Sequence, residues 1–284
     1  MIDLELSLGL LAAATAAGVA YTMRVRRLGA LRNARVERAG SSVLLGKSAM
    51  EGAYYYLEPV GRAAVSLGLT ANGVTLISFV IATAGAVALA FGHFGVGGAL
   101  TVVATLGDAL DGIVARQTHT SSDAGEVFDA AVDRYVEFFF LAGLAFYFRA
   151  EPGALLLALL AALGSFMVSY GTAKAEALQV EAPRGAMRRA ERAVYLTLGV
   201  VLAPIAAAVA ARLHLPAWVG VSPILLSLAL VGVVSNVSAA RRLYAIARSV
   251  AARRAPAQAP AAEPVPTAPI SLRQPSPDSG ALRP

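Results

Sequence analysis

The sequence has no cysteine and few charged or aromatic residues, which excludes several kinds of protein site. Without cysteine there are no disulfides, zinc-thiolate sites, iron–sulfur clusters or cysteine nucleophiles. Charged residues make up 15% and aromatic residues 7% of the 284 residues, whereas 57% are hydrophobic and the mean hydropathy is +0.64. His93, His119 and His214 fall in different predicted loops and form no metal-ligand spacing.

Several apolar runs are long enough to cross a membrane. A hydrocarbon core of roughly 30 Å is spanned by about 20 apolar residues in a helix. No ten-residue pattern of alternating hydrophobicity repeats, which argues against a transmembrane barrel. The sequence therefore predicts an all-α, polytopic helical membrane protein with one extra N-terminal span and a six-span core. The predicted spans are 6–23 and then 72–91, 96–116, 124–148, 153–176, 192–211 and 218–245.

Two segments differ in composition from the spans. Residues 45–66 are less apolar and contain Tyr54, Tyr55 and Tyr56, which predicts an amphipathic helix in the membrane interface. Proline, alanine, glutamine and serine predominate near the C-terminus, which predicts a disordered tail. We therefore divide the chain into an extra span with a basic linker (1–44), a membrane domain (45–250) and a tail (251–284).

The basic residues follow the ends of the apolar segments. Of the 24 Lys and Arg residues, only Arg149 and Arg212 fall in loops that this topology assigns to the outside. The net charge of +6 therefore indicates membrane orientation and not a nucleic-acid partner. We predict a protein of the bacterial cytoplasmic membrane, with its active site on the cytoplasmic side.

Four aspartates interrupt the second and third core spans. Asp108 and Asp111 are three residues apart and Asp129 and Asp133 are four apart, so each pair shares a helix face. A short polar loop joins the two helices, and we expect antiparallel neighbours whose aspartates face each other. Converging carboxylates repel unless cations lie between them. Oxygen ligands suit Mg²⁺, Mn²⁺ or Ca²⁺, and two such ions could clamp a phosphoryl group.

An acidic site within a membrane is also typical of ion and proton pathways. A cation-coupled transporter is therefore the alternative from a different functional class. Many transporters have a pair of Pro- or Gly-broken spans and an inverted repeat. The sequence shows neither of these features, which favours the phosphoryl-transfer interpretation.

The aspartate stretch resembles the signature of the CDP-alcohol phosphatidyltransferases. Every defined position and gap of that signature matches Asp108-x2-Asp111-Gly112-x2-Ala115-Arg116-x8-Gly125-x3-Asp129-x3-Asp133. Asn72 and Thr75 also resemble the Pro-Asn-x-x-Thr motif with which the family begins its first core span, although Ala71 replaces the proline. The resemblance covers roughly residues 45–245 and excludes the leading span and the tail.

The resemblance implies an enzyme that transfers a phosphatidyl group from CDP-diacylglycerol to an alcohol and releases CMP. It implies two divalent cations, Mg²⁺ or Mn²⁺, held by Asp108, Asp111, Asp129 and Asp133. Asp133 would also act as the general base on the acceptor hydroxyl. The family commonly forms homodimers. The residues that it assigns to the donor nucleotide and diphosphate are Gly112, Ala115, Arg116, Gly125, Asn72 and Thr75.

A basic segment follows the fourth core span and indicates an anionic, phosphorylated acceptor. The positive-inside rule alone is the alternative explanation for these charges. The segment resembles the phosphatidylinositol-phosphate synthase branch of the family in Ser169-Tyr170-x2-Ala173-Lys174-Ala175-Glu176 and in Arg189-x-Glu191-Arg192.

Thr172 departs from that branch, because bacterial members usually carry a lysine there that contacts the acceptor phosphate. The resemblance in the other residues still favours inositol phosphate as the acceptor. Glycerol 3-phosphate, and hence phosphatidylglycerophosphate synthesis, is the alternative. The residues expected to bind the acceptor are Lys174, Arg188, Arg189, Arg192 and Thr172, and Arg184 belongs to the same basic segment.

Overall fold

A computed structural model describes residues 1–29, 47–181 and 185–254, and within these residues all regular structure is helical. The predicted tail beyond residue 254 lies outside the described residues. A short 3₁₀ turn, Phe148–Ala150, joins the fifth and sixth helices. The α-helices are α1 (Ile2–Leu28), α2 (Lys47–Ser66), α3 (Ala71–Ala90), α4 (Phe94–Gln117), α5 (Asp123–Tyr147), α6 (Pro152–Ala177), α7 (Arg189–Arg212) and α8 (Trp218–Arg254).

The helices from α3 to α8 correspond to the six predicted core spans. Their ends lie within three residues of the predicted ends, except that α8 continues nine residues further. They form a closed ring in the order α3, α4, α7, α8, α6 and α5. Outside this ring, α2 packs on α4, and α1 packs along α4 and α7. The predicted all-α fold, with a six-helix core and two additional helices, is confirmed.

Six of the described helices are long and apolar enough to cross a membrane, namely α1, α3, α4, α6, α7 and α8. The chain is therefore an integral, multi-pass membrane protein. The remaining core helix, α5, is 25 residues long, but its first half carries both acidic and basic residues. That α5 also crosses the membrane stays a prediction.

The two aspartate-bearing helices, α4 and α5, are not the direct neighbours that the sequence predicts. Both pack against α3 and hardly touch each other. Gly107 permits the close packing of α4 on α3, because a Cβ at this position would overlap the hydroxyl of Ser78. The prediction of direct neighbours is therefore wrong, and α3 holds the two helices apart so that space remains between them.

Most of the apolar core lies away from the aspartates. The main cluster includes Leu89 at the end of α3, Phe94 at the start of α4, and Leu144 near the end of α5. Two small clusters, one around Val74 and Val114 and one around Ile246, pack near the other end. We call the end of the ring that contains Asp108 and Asp133 the aspartate end.

Candidate active site

Three of the four aspartates converge at the aspartate end. One carboxylate oxygen from each of Asp108, Asp111 and Asp129 lies within 4.8 Å of the others. Asp111 is buried, whereas Asp108 and Asp129 are half-buried. The helical spacing thus brings carboxylates from α4 and α5 together, although the helices themselves are separated by α3.

Hydroxyl caps fix the start of two helices beside this group. The Thr70 side chain accepts a hydrogen bond from the Gly73 amide at 3.1 Å and begins α3. The Ser122 side chain accepts one from the Gly125 amide at 3.1 Å and begins α5. Such caps satisfy amides that have no partner within the helix. They set the register in which Asp129 reaches the group.

Thr75 of α3 orients the most buried of these carboxylates. Its hydroxyl lies 2.7 Å from Oδ2 of Asp111 and donates a hydrogen bond to it. Both side chains are buried, and the Thr75 hydroxyl also lies 3.0 Å from the carbonyl of Ala71. A hydrogen bond of this kind holds a carboxylate in one rotamer. Thr75 therefore contacts the aspartates directly.

Asp133 lies outside the group of three and pairs with Arg189 at the start of α7. The Arg189 guanidinium contacts Asp133 and also reaches Asp108, with Nη2 at 3.0 Å from Oδ1 and Nη1 at 3.3 Å from Oδ2. Arg134 lies 4.0 Å from the Asp133 carboxylate. The sequence assigns Arg189 to the acceptor, whereas the structure joins it to the aspartates, where it offsets part of their charge.

The residues present fit divalent cations. Carboxylate oxygens are the ligands that hard cations such as Mg²⁺ and Mn²⁺ prefer. A small cavity of about 30 Å³ borders Asp108, Asp111 and Asp133. A site needs about 10–15 Å³ to hold a particle the size of a water molecule. The carboxylate group and the adjoining small cavity could therefore hold cations.

All six residues assigned to the donor nucleotide line one cavity of about 630 Å³, which we call the polar cavity. It opens between the start of α3, the end of α4 and the start of α5, and it borders Asp111 and Asp129. Small side chains on α4 and α5 leave this space open. The six residues are Asn72, Thr75, Gly112, Ala115, Arg116 and Gly125.

A second cavity of about 420 Å³, the apolar cavity, lies on the other side of the aspartates. Asp108, Asp133 and Arg189 border it, so its polar end meets the carboxylates. The rest of its wall is mostly apolar and comes from α2, α3, α4, α5 and α7. The apolar wall includes Leu57, Ala104, Ala109, Val136, Phe140, Ala193 and Leu196.

The residues that the sequence assigns to the acceptor do not form one group. Lys174 is exposed and lines a groove between α6 and α8. Arg192 is 1% exposed, and its guanidinium is engaged by Glu137 and by the Met187 carbonyl. Arg184 lies outside the described residues.

Arg242 of α8 is a candidate site residue that the sequence analysis missed. It is 7% exposed, and its Nη1 donates a hydrogen bond to the Thr172 hydroxyl. Its Nε is buried and has no hydrogen-bond partner among the described residues. Arg188 lies close enough to interact with it electrostatically. In the sequence, Arg242 is one of two adjacent arginines near a span end, a common membrane-anchor pattern.

Residues 68–220 match the family model described as CDP-alcohol phosphatidyltransferase. The chain is 34% identical over 151 residues to the phosphatidylinositol phosphate synthase of Mycolicibacterium smegmatis, covering 52% of this chain and 68% of the relative. It is 32% identical over 144 residues to the archaetidylinositol phosphate synthase of Methanothermobacter thermautotrophicus, covering 51% and 71%.

Another relative is the bifunctional IPC transferase and DIPP synthase of Rubrobacter xylanophilus, at 34% identity over 189 residues. The match covers 63% of this chain but only 38% of that relative. Among solved structures, the Mycobacterium tuberculosis phosphatidylinositol phosphate synthase with CDP-DAG bound matches with a TM-score of 0.57 and 25% identity, over 67% of this chain and 92% of that one. The form with manganese and citrate has a TM-score of 0.58 at 24% identity, over 67% and 88%, and supports the fold.

Proposed function

Because the chain belongs to the CDP-alcohol phosphatidyltransferase family, we propose that it transfers a phosphatidyl group from CDP-diacylglycerol to inositol phosphate and releases CMP. The observation that carries this proposal is the convergence of Asp108, Asp111 and Asp129 between two cavities. The transporter alternative is not favoured, because the family match includes all four aspartates.

The two cavities support a divided binding site for the donor. The polar cavity has room for the cytidine beside Gly112, Ala115 and Gly125, with Arg116 near the diphosphate. The apolar cavity offers its apolar wall to the lipid part. Because the aspartates lie between the two cavities, the diphosphate that joins the two parts of the donor would lie across them.

Divalent cations, when bound, neutralise the diphosphate and polarise the phosphorus that is attacked. Asp108, Asp111, Asp129 and Asp133 would hold them. The Asp133 carboxylate would accept the proton of the acceptor hydroxyl as the hydroxyl oxygen bonds to phosphorus. The bond from that phosphorus to the bridging oxygen breaks, and CMP leaves with the electron pair.

Two arginines, Arg242 of α8 and Arg188 just before α7, support a phosphorylated acceptor. Arg242 offers a buried guanidinium with an unused N–H, and both Thr172 and Arg188 lie beside it. Guanidinium groups bind phosphate through several N–H donors at once. We propose that Arg242 supplies the charge that Thr172 lacks. The similarity to an archaetidylinositol phosphate synthase and a phosphatidylinositol phosphate synthase favours inositol phosphate over glycerol 3-phosphate as the acceptor.

The distribution of basic residues supports an active site that faces the cytoplasm of a bacterial cell. Arg62, Arg116 and Arg134 lie at the aspartate end, whereas Arg149 and Arg212 lie at the other end. Positive residues are enriched on the cytoplasmic side of membrane proteins. We further propose the homodimer that the family commonly forms and the three-part division of the chain at residues 44 and 250.

The test is CMP release by the purified protein with CDP-diacylglycerol and Mg²⁺ or Mn²⁺. The acceptor panel contains inositol 1-phosphate, glycerol 3-phosphate, inositol, serine and no acceptor. Release with inositol phosphate alone supports the whole proposal. Release with glycerol 3-phosphate retains the reaction and replaces the acceptor. No release with any acceptor, from protein shown to bind Mn²⁺, contradicts the proposal.

A further inference from the structure

We propose that α1 positions α2 against the apolar cavity, and that Tyr21 is the main positioning residue of this contact. The proposal rests on the proposed function, because it assigns to this contact an effect on affinity for the lipid donor. Both helices lie before residues 68–220, the part of the chain that matches the family model. The contact is therefore not part of the matched core.

Tyr21 is buried in a helix that is otherwise mostly exposed. Only Ser7 and Tyr21 are buried in α1, and Tyr21 is 5% exposed. Its ring packs on Gly52 of α2, where an added Cβ would lie 3.1 Å from the ring carbon Cγ. Its hydroxyl lies 3.5 Å from a carboxylate oxygen of Glu51. Glycine at position 52 thus allows the ring to lie directly on the α2 backbone.

Two further contacts extend this interface along α2. The Arg24 guanidinium lies 4.6 Å from the centre of the Tyr55 ring. The Tyr56 hydroxyl donates a hydrogen bond to the Ala17 carbonyl at 3.2 Å. A cation over an aromatic ring and a hydrogen bond both depend on orientation. The contacts therefore fix the rotation of α2 about its own axis as well as its distance from α1.

The rotation of α2 matters because another face of this helix forms part of the apolar cavity. Ala53, Tyr54 and Leu57 line the cavity that Asp108 and Asp133 border. A change in the rotation of α2 would move these side chains and alter the shape of the wall. Apart from α1, the helix that packs closely on α2 within the described residues is α4.

The other end of α1 is anchored on the ring. Oδ1 of Asp3 accepts a hydrogen bond from the Val96 amide at 3.0 Å, in the first turn of α4. Oδ2 of Asp3 lies 3.4 Å from His93. Gly95 lets the two backbones approach closely, because a Cβ there would overlap the backbone of Asp3. α1 is therefore held on α4 at its N-terminal end and contacts α2 near its C-terminal end.

The absence of cysteine from the sequence allows a direct test with the double variant Tyr21→Cys/Gly52→Cys. The close approach of the Tyr21 ring to Gly52 brings the two Cβ atoms near the separation of about 3.5–4.5 Å that a disulfide needs. The reduced variant lacks the aromatic contact, and the oxidised variant restores the link between the helices. Both forms are assayed for the KM for CDP-diacylglycerol, the KM for the acceptor, and kcat.

We expect the reduced variant to raise the KM for CDP-diacylglycerol about tenfold and to change kcat and the acceptor KM less than about twofold. Oxidation should return the donor KM to the wild-type range. The matched control is Thr15→Ala, because Thr15 is exposed and its hydroxyl bonds only within α1, to the Leu11 carbonyl. This control should leave all three constants unchanged.

Three outcomes would overturn the proposal. An oxidised form without activity would show that α1 must leave α2 during turnover. Wild-type constants in the reduced form would show that the contact does not affect the donor site. If kcat falls and both KM values rise by similar factors, and thermal stability is lower, the contact has only a structural role.

A second measurement separates this proposal from the proposed function. Thermal stabilisation by CDP-diacylglycerol without acceptor reports donor binding and needs no turnover. The reduced double variant should need about tenfold more lipid than wild type for the same stabilisation. Suppose that wild type releases no CMP in the assay while the reduced double variant still needs about tenfold more lipid than wild type for the same stabilisation. In that case the proposed reaction fails and the positioning role stands. If the lipid stabilises both forms equally, or stabilises neither, the positioning role fails.

Discussion

The guanidinium of Arg192 on α7 forms a bidentate ion pair with the carboxylate of Glu137 on α5. Nε lies 2.6 Å from Oε1 and Nη2 lies 2.9 Å from Oε2, while Nη1 donates to the Met187 carbonyl at 2.7 Å. α5 and α7 are not neighbours in the ring, so the pair crosses its interior. Because Arg189 lies one turn before Arg192, the pair also fixes the arginine that contacts Asp108 and Asp133.

Replacing Glu137 with alanine should therefore destabilise the protein strongly. It would leave the Arg192 charge buried and only partly compensated, which costs about 3–5 kcal/mol. We expect a clear fall in the midpoint of thermal unfolding in detergent, measured by loss of the monodisperse peak. The exposed Glu181→Gln is the control and should unfold as wild type does.

The double variant Glu137→Met/Arg192→Met distinguishes charge burial from simple loss of contact. With both charges removed, an apolar pair of similar size should recover much of the lost stability. A double variant as unstable as Glu137→Ala would contradict this account of the pair.

Thr75→Val should weaken cation binding without unfolding the protein. Valine keeps the shape but removes the hydrogen bond that orients Asp111. Losing such a supporting hydrogen bond costs roughly 10- to 100-fold in metal affinity. Titration with Mn²⁺ followed by electron paramagnetic resonance measures this directly. Thr83→Val on the same helix is the matched control, because its hydroxyl bonds only to the Phe79 carbonyl. Equal Mn²⁺ affinity in the two variants would contradict the role of Thr75.

Ala115→Leu should narrow the polar cavity and reduce affinity for the nucleotide. Overfilling a shaped site costs about 1–3 kcal/mol, so both the donor KM and the inhibition constant of CMP should rise about tenfold or more. Ala109→Leu, which narrows the apolar cavity instead, should raise the donor KM but leave CMP inhibition unchanged. If both variants weaken CMP equally, the division of the donor between two cavities is wrong.

Arg242→Gln should raise the KM for inositol phosphate and leave the donor KM unchanged. A hydrogen bond to a charged group contributes about 1.5–3 kcal/mol, which corresponds to roughly 10- to 100-fold. Initial rates of CMP release at varied acceptor give this constant. Arg248→Gln, exposed on the same helix, is the control for a general loss of positive charge. A similar change in both variants would show that Arg242 has no specific role.

The sequence predicts the helices well, and it predicts the convergence of three of the four aspartates, because both depend on local spacing. Apolar runs define each helix, and positions three or four apart share a face wherever the helix lies. The position of α3 between α4 and α5 could not be predicted, since it depends on which helices pack together. A short connecting loop leaves that choice open.

The arginines show the same limit. Arg189, Arg192 and Arg242 look alike in sequence, as basic residues near span ends. In the structure, Arg189 contacts two aspartates, Arg192 is buried against Glu137, and Arg242 contacts Thr172. Each role depends on a partner at least 55 residues away in the chain. No local pattern carries that information.

The uneven distribution of the apolar core has a consequence for how substrates are exchanged. The large cluster around Leu144 and Leu228 holds the helices together far from the aspartates. At the aspartate end, the described residues form only two small apolar clusters, and polar contacts such as those of Arg189 with Asp108 and of Thr75 with Asp111 supply part of the packing between helices. The ring is therefore packed more firmly at the end away from the aspartates. We expect any opening for substrate exchange to occur at the aspartate end, because separating the helices at the other end would expose the buried cluster around Leu144 and Leu228.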